Sequence, residues 1–248
     1  MISSGFICPT PTILLPGILD NEIESNFSDT ISSLSFLNEV VLNTKPDIIF
    51  CFCVSDVSKI TCNLNIEYLV SFEDFGEFQT KFSVLGDVFL SKYISKELNF
   101  DIITKDCLDY KISVPLSFIL KNISNKKIIP IYIPYNYDLK ELFLLGKKLK
   151  KIFLGISDNL SVACFGDISY FDKKNIKQVE RDKELITLIE NKSIYKILNV
   201  KKKFVKNSNL VTSFCLMSGI FDKINYRVDS LSYDNYLDIG YYTCNYEL

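Results

Sequence analysis

Thr10 stands between two prolines in the stretch "GFICPTPTILLPGI", just after an apolar run. Proline fixes its own φ and restricts the residue before it, so this segment holds the threonine in a rigid mount at a strand end. Such a mount suits a ligand or a catalytic group, yet threonine is a poor metal ligand and a weak base. Three more short segments place polar groups just beyond an apolar run or at the opening of a helix. They are residues 55–58 with Asp56, residues 108–111 with Asp109 and Tyr110, and residues 166–170 with Asp167 and Tyr170. Carboxylates and phenols bind small polar ligands, hold oxygen-ligated cations or move protons. Imidazole chemistry is closed to them. The 248 residues contain no histidine, which excludes any mechanism needing an imidazole as metal ligand, general base or activator of a nucleophile.

For these groups to meet, the elements that carry them must end in one place. Apolar runs of strand length alternate with stretches of helical period. A first strand at about residues 5–7 leads to "NEIESNFSDTISSLSFLNEVVLN", where Ile23, Phe27, Ile31, Leu34, Leu37 and Val41 share one helical face and Asn21 with Glu24 forms a capping-box pattern. "DIIFCFCV" (47–54) is apolar on both faces, as a central parallel strand covered on each side must be. Further strands are expected at 66–72, 100–104, 128–134 and 161–165. Helices are expected at 88–98, in "SVPLSFILKN", from Asp138 with Glu141 at its capping position, near 180–198 and at 209–222. "YRVDSLSY" and "DIGYYTCNY" read as two closing strands. The pattern predicts one three-layer α/β domain over residues 1–248, with a central, mostly parallel mixed sheet flanked by helices. Ligands of open α/β sheets collect at the carboxyl ends of the strands, so the four segments are expected to share a pocket.

Composition narrows the function classes. A hydrophobic share of 48% supports a continuous core, and a net charge of −2 argues against a general polyanion binder, so no nucleic-acid partner is expected. The runs "KKLKK" (147–151) and "KKKFVK" (201–206) read as solvated faces. No apolar run reaches the roughly 18 residues of a membrane span and no basic-then-apolar leader opens the chain, so a cytoplasmic, non-membrane protein is expected. The eight cysteines are scattered through apolar segments without a C-x-x-C pair, which favours free buried thiols. Cys51 and Cys53, two apart in a strand, fall on one face as core.

Five segments, taken in order, give the chain a family likeness. "CPTPTILLPGI" stands where the class III extradiol dioxygenases have a strand running into Pro-His-Pro-Pro and a leucine-rich stretch. "KPDIIFCFCVSD" is similar to their strand ending in Ser-Pro-His, "CLDYKISVPLSF" to Leu-Asp-His-Gly before a Val-Pro-Leu helix, and "FGDISY" to Gly-Asp-Leu-Ser-His. "LSYDNYLDIGYY" is similar to a Tyr-Glu followed by a Gly-Tyr strand. The chain thus resembles this LigB-type superfamily along its length, especially the branch of MEMO and the B component of the AmmeMemoRadiSam system. The resemblance puts Thr10, Tyr110 and Tyr170 at histidine positions, Asp56 at or beside one, Lys111 at a glycine position and Asp234 at the glutamate position.

Family members hold non-haem Fe(II) with two histidines and a carboxylate and use a further histidine as acid and base. With every histidine replaced, the resemblance implies the scaffold without ring cleavage, and iron is not expected. The implied role is a component that binds a small molecule or a protein, as a homo-oligomer or as a subunit of an enzyme complex. The alternative is a divergent enzyme working through Asp56, Asp234, Tyr110 and Lys111. Asp56, Asp167 and Asp234, with Thr10 and Tyr110, offer oxygens that would suit Mg²⁺, Mn²⁺ or Ca²⁺. Against a metal stand two plainer readings: Asp167 accepts backbone N–H bonds in a turn after Gly166, and Tyr110 and Tyr170 fill the space left by an ion.

Overall fold

The computed structural model describes residues 1–15, 18–123, 125–170, 176–200 and 208–248. The run 201–206 therefore lies outside the described residues. Eleven strands form one mixed sheet whose main path runs β10-β11-β1-β8-β2-β7-β3-β6. Its centre is four parallel strands: β1 (Ile2–Cys8), β8 (Leu160–Phe165), β2 (Ile48–Ser55) and β7 (Lys127–Pro134). Antiparallel strands flank that centre. β11 (Ile239–Glu247) pairs with β1, β10 (Arg227–Tyr236) and the two-residue β9 (Ser169–Tyr170). On the other side β3 (Thr61–Asn63) runs antiparallel to β7 and parallel to β6 (Asp101–Ile103). The hairpin of β4 (Glu67–Phe72) and β5 (Glu77–Gly86) joins β7 off the main path.

The expected mixed α/β sheet between helices is present, and the pleat explains it. Successive side chains of a strand point to opposite faces. On β1 and β2, Phe6, Cys8, Ile49, Cys51 and Cys53 enter one core, beneath α2 (Ser28–Thr44) and α4 (Tyr110–Ile119). Ile7, Ile48, Phe50 and Phe52 enter the other, against α5 (Leu139–Phe153) and α8 (Asn209–Ile220). Helices α5 and α8 cross closely at Gly146 and Gly219, where an added Cβ would stand 2.0 Å from a carbonyl oxygen of the facing helix. Helix α3 (Val88–Leu98) and helices α6 (Ile176–Glu190) and α7 (Ile194–Ile197) complete the layers.

Two expectations are corrected here. The first long helix is broken: α1 (Asn21–Asn26) ends at Phe27, and α2 follows. Asp20, rather than Asn21, accepts the capping bond from the Ile23 N–H at 2.8 Å. Seven cysteines are buried free thiols, but Cys107 is exposed. Among the described residues no helix is long and apolar enough to cross a membrane.

Candidate functional site

β1 and β8 are parallel neighbours in register at Cys8 and Phe165, so the residues two beyond each, Thr10 and Asp167, leave the sheet side by side. The Gly166 N–H donates back to the Cys8 carbonyl at 3.2 Å. Gly166 adopts φ +154°, and a Cβ there would come within 3.1 Å of Asn209 and Leu210 at the start of α8. Asp167 is thereby set beneath the proline-bounded mount, and its carboxylate is surrounded. Oδ1 accepts the Thr10 backbone N–H at 2.8 Å. Oδ2 accepts the Thr10 hydroxyl at 2.7 Å and the Tyr170 hydroxyl at 2.9 Å. The Asn209 amide in turn donates to Tyr170 at 2.6 Å. Because Pro9 and Pro11 have no N–H, the Thr10 amide is the one backbone donor of that run, and it is spent here.

Electrostatics follow the geometry. Burial pushes the Asp167 carboxyl above its ordinary value, against the opposing pull of the Thr10 and Tyr170 hydrogen bonds and the Lys111 charge. Burial first, and the Asp167 charge second, push the Tyr170 phenol far up, so it stays a donor.

The second half of the site lies where β2 and β7 end and α4 begins. Asp109 caps α4: Oδ1 accepts the Lys111 N–H at 3.0 Å, and Oδ2 accepts the Ser55 hydroxyl at 2.8 Å, tying the helix start to the end of β2. The Lys111 ammonium then turns inward. It donates to the Val54 carbonyl at 2.9 Å and the Tyr135 hydroxyl at 2.7 Å, and lies 5.0 Å and 5.6 Å from the ring centroids of Tyr135 and Tyr110. An ammonium has three N–H donors, so two direct bonds leave one. No ion pair joins Lys111 to a carboxylate among the described residues. Burial works to lower its pKa, but the Tyr135 bond and the nearby Tyr110 and Asp109 outweigh it and raise it. Tyr110 is pushed up by burial, against the Lys111 charge, and Asp109 and Asp167 add to the rise.

Thr10, Asp167 and Tyr170 are thus in direct contact, and Tyr110 and Lys111 adjoin them within electrostatic reach. Asp56 is not gathered in; it is exposed, and its neighbour Ser55 makes the contact to Asp109. Side chains alternate along a strand, so one residue of register decides which of the two faces α4. Asp234 works elsewhere: its Oδ2 accepts the Thr30 N–H at 3.1 Å and the Thr30 hydroxyl at 2.6 Å, capping α2, whose own N-cap Phe27 has no side-chain acceptor.

Four residues in or beside the cleft escaped the sequence reading. Tyr135 directly follows the strand "IIPIYIP", so the strand-end rule could have found it. Ser55 lay inside one of the chosen segments. Asn209 opens a helix with no sequence signal for its contact. Asp182 is a second buried acid, accepting Ser169 at 2.6 Å and Tyr233 at 2.8 Å. Burial raises its pKa too, against those two bonds.

The donor set does not fit an iron centre. Asp167 already accepts three hydrogen bonds, two of them at Oδ2, so a cation could reach only the remaining lone pair on Oδ1 unless Thr10 and Tyr170 turned away. Asp234 is committed to Thr30. Among the described residues no three cysteine, aspartate or glutamate side chains gather as a metal-ligand set, so the three carboxylates expected to suit Mg²⁺, Mn²⁺ or Ca²⁺ stand apart.

No known family's sequence profile matches the chain, and no curated protein matches it. A solved structure does. The uncharacterized protein JW3007 from Escherichia coli K12 superposes with a TM-score of 0.66 over 98% of this chain and 99% of its own. At 9% identity that likeness shows a shared fold and no more.

Proposed function

We propose that this chain is a histidine-free relative of the class III extradiol dioxygenases that binds a small polar molecule at its strand ends and does not cleave rings. One observation carries the reading. Two positions that the resemblance gives to histidines, Thr10 and Tyr170, carry hydroxyls that both donate to Oδ2 of the buried Asp167. Hydroxyl protons thus take up both lone pairs of Oδ2, which a cation would otherwise use.

Binding is favoured over proton transfer by the states of the remaining groups. A general acid or base works best with a pKa near the operating pH. Here Lys111 is held as an ammonium and Tyr110 as a phenol, both with raised pKa values, and Asp167 lies under Thr10. What remains is a recognition set: a buried cation with an unused donor beside two half-exposed phenols, Tyr110 and Tyr135.

The test is a thermal-shift screen of the purified protein against small phenols and carboxylates, run beside a ring-cleavage assay with catechols and Fe²⁺. A ligand that binds only the folded state raises the melting temperature. Expected is a shift that Lys111→Met abolishes, with no ring-opened product. Catechol turnover, or a set of shifts indifferent to Lys111, would overturn the proposal.

A further inference from the structure

The hairpin strand β5 is bonded to β4 along one side, from Leu85 opposite Glu67 back to Glu77 opposite Phe72. On its other side it meets β7 at two positions, Leu85 with Lys127 and Gly86 with Ile128. Upstream of that pair the two chains part, because the residues before Lys127 belong to the connection from α4 rather than to a strand. The parting opens a groove of about 760 Å³ between the free edge of β5 and the end of α4 with its following turn. Its apolar lining is Phe82, Val84 and Leu85 from β5, and Phe118, Leu120 and Ile123 opposite.

Two physical facts say what such a groove takes. Along an antiparallel strand, backbone N–H and C=O groups alternate between the paired side and the open side, so β5 presents unpaired groups along residues 81–84 beside an apolar trough, while the Glu77 carboxylate takes the Gln79 and Thr80 N–H groups upstream. An extended chain satisfies both at once, by adding as a strand and setting alternate side chains into the trough. Charge selects among extended chains. Of the residues lining the groove two are charged, Lys121 and Lys126, and both are cations without an ion-pair partner among the described residues.

We propose that the β5 edge and the groove beside it form a docking site for an extended acidic segment of a partner protein, added to β5 as a further strand. Apolar side chains at alternate positions fill the trough between Phe82 and Phe118, and the intervening carboxylates meet Lys121 and Lys126. A second copy of this chain is a poorer occupant, because edge-to-edge pairing of two β5 strands brings the unpaired Lys121 and Lys126 of both copies to one seam. This site is separate from the cleft around Asp167, and its test does not depend on what that cleft binds.

The experiment is fluorescence anisotropy with the whole protein and labelled peptides of about eight residues, the length of an ordinary strand, alternating Glu with Val, Ile or Phe. Three controls accompany them: the same peptides with Lys for Glu, the same peptides N-methylated at alternate amides, and the surface variant Lys121→Glu with Lys126→Glu. Expected is saturable binding of the acidic peptides, weakened about 10-fold or more by each peptide change, and a reversal of charge preference in the variant. Overturning results are no binding of the acidic peptides at millimolar concentration, equal binding of methylated and unmodified peptides, or a dimer in sedimentation that dissociates only in the double variant.

Discussion

Asp167 and Lys111 are both buried ions at the ends of parallel strands, 4% and 6% exposed, and both are held by hydroxyl groups. Their surroundings differ. Around Asp167, Thr10 gives two donors and Tyr170 a third, and Tyr170 is itself held by Asn209. Around Lys111, the fixed partner is a carbonyl of β2, and the other, Tyr135, is 43% exposed, with Tyr110 at 41% beside it. A buried charge held by three internal donors, one of them held in turn, is part of the fold, because removing any partner strands the others. A buried charge with a spare donor beside part-exposed phenols is poised to receive something. The first half of the cleft should govern stability, and the second half binding.

The sharpest way to break that division is Asp167→Ala, which strands the Thr10 amide, the Thr10 hydroxyl and the Tyr170 hydroxyl in a buried site. A loss of about 3–5 kcal/mol is expected in urea unfolding. Asp167→Asn keeps an acceptor and removes the buried charge, so its cost should be about 1 kcal/mol at neutral pH. The two should also differ in pH dependence. Burial raises the folded-state pKa of Asp167 above the unfolded one, so the folded chain binds more protons in that window. Its contribution to stability is therefore fullest below the ordinary Asp value of about 3.9 and is lost as pH rises through the folded pKa. Across that rise the parent should lose ground to Asp167→Asn; a constant difference between them would contradict the assignment.

Tyr170→Phe comes next, at about 1–2 kcal/mol, since it deletes one donor to Asp167 and the acceptor for Asn209. Lys111→Met should cost about 1 kcal/mol, because an apolar chain of similar length fills the space, the Val54 carbonyl loses one donor and the exposed Tyr135 hydroxyl can turn to water. It should nevertheless abolish ligand-induced thermal shifts. Smallest is Tyr110→Phe, expected within about 0.5 kcal/mol for a part-exposed side chain whose ring packs edge-on to Phe75. If Lys111→Met proved as destabilising as Asp167→Ala, the division between the halves would fail.

Legibility in the sequence followed the strength of local physics. β2 and α3 were legible almost to the residue, the first from apolar side chains on both faces and the second as the stretch between two expected strands. The break at Phe27 was not, because its cause is tertiary: that ring packs 5.2 Å from both Tyr236 and Tyr241 of the distant β10–β11 hairpin. β5 escaped because "EFQTKFSVLG" mixes charges into a strand that is largely exposed. In the site, Thr10, Asp167 and Tyr170 were legible through the proline mount and the glycine turn. Asp56 and Asp234 went astray for separate reasons. A one-residue step at a strand end reverses a side chain, and nothing local reveals that the start of α2 lies beside β10.

The most direct measurement is an anaerobic calorimetric titration of the purified, chelator-treated protein with Fe²⁺, read together with its melting temperature. If hydroxyls and phenols have taken the metal's place around Asp167, no stoichiometric heat appears and the melting temperature does not rise. One tightly bound iron per chain, with a raised melting temperature, would contradict that directly.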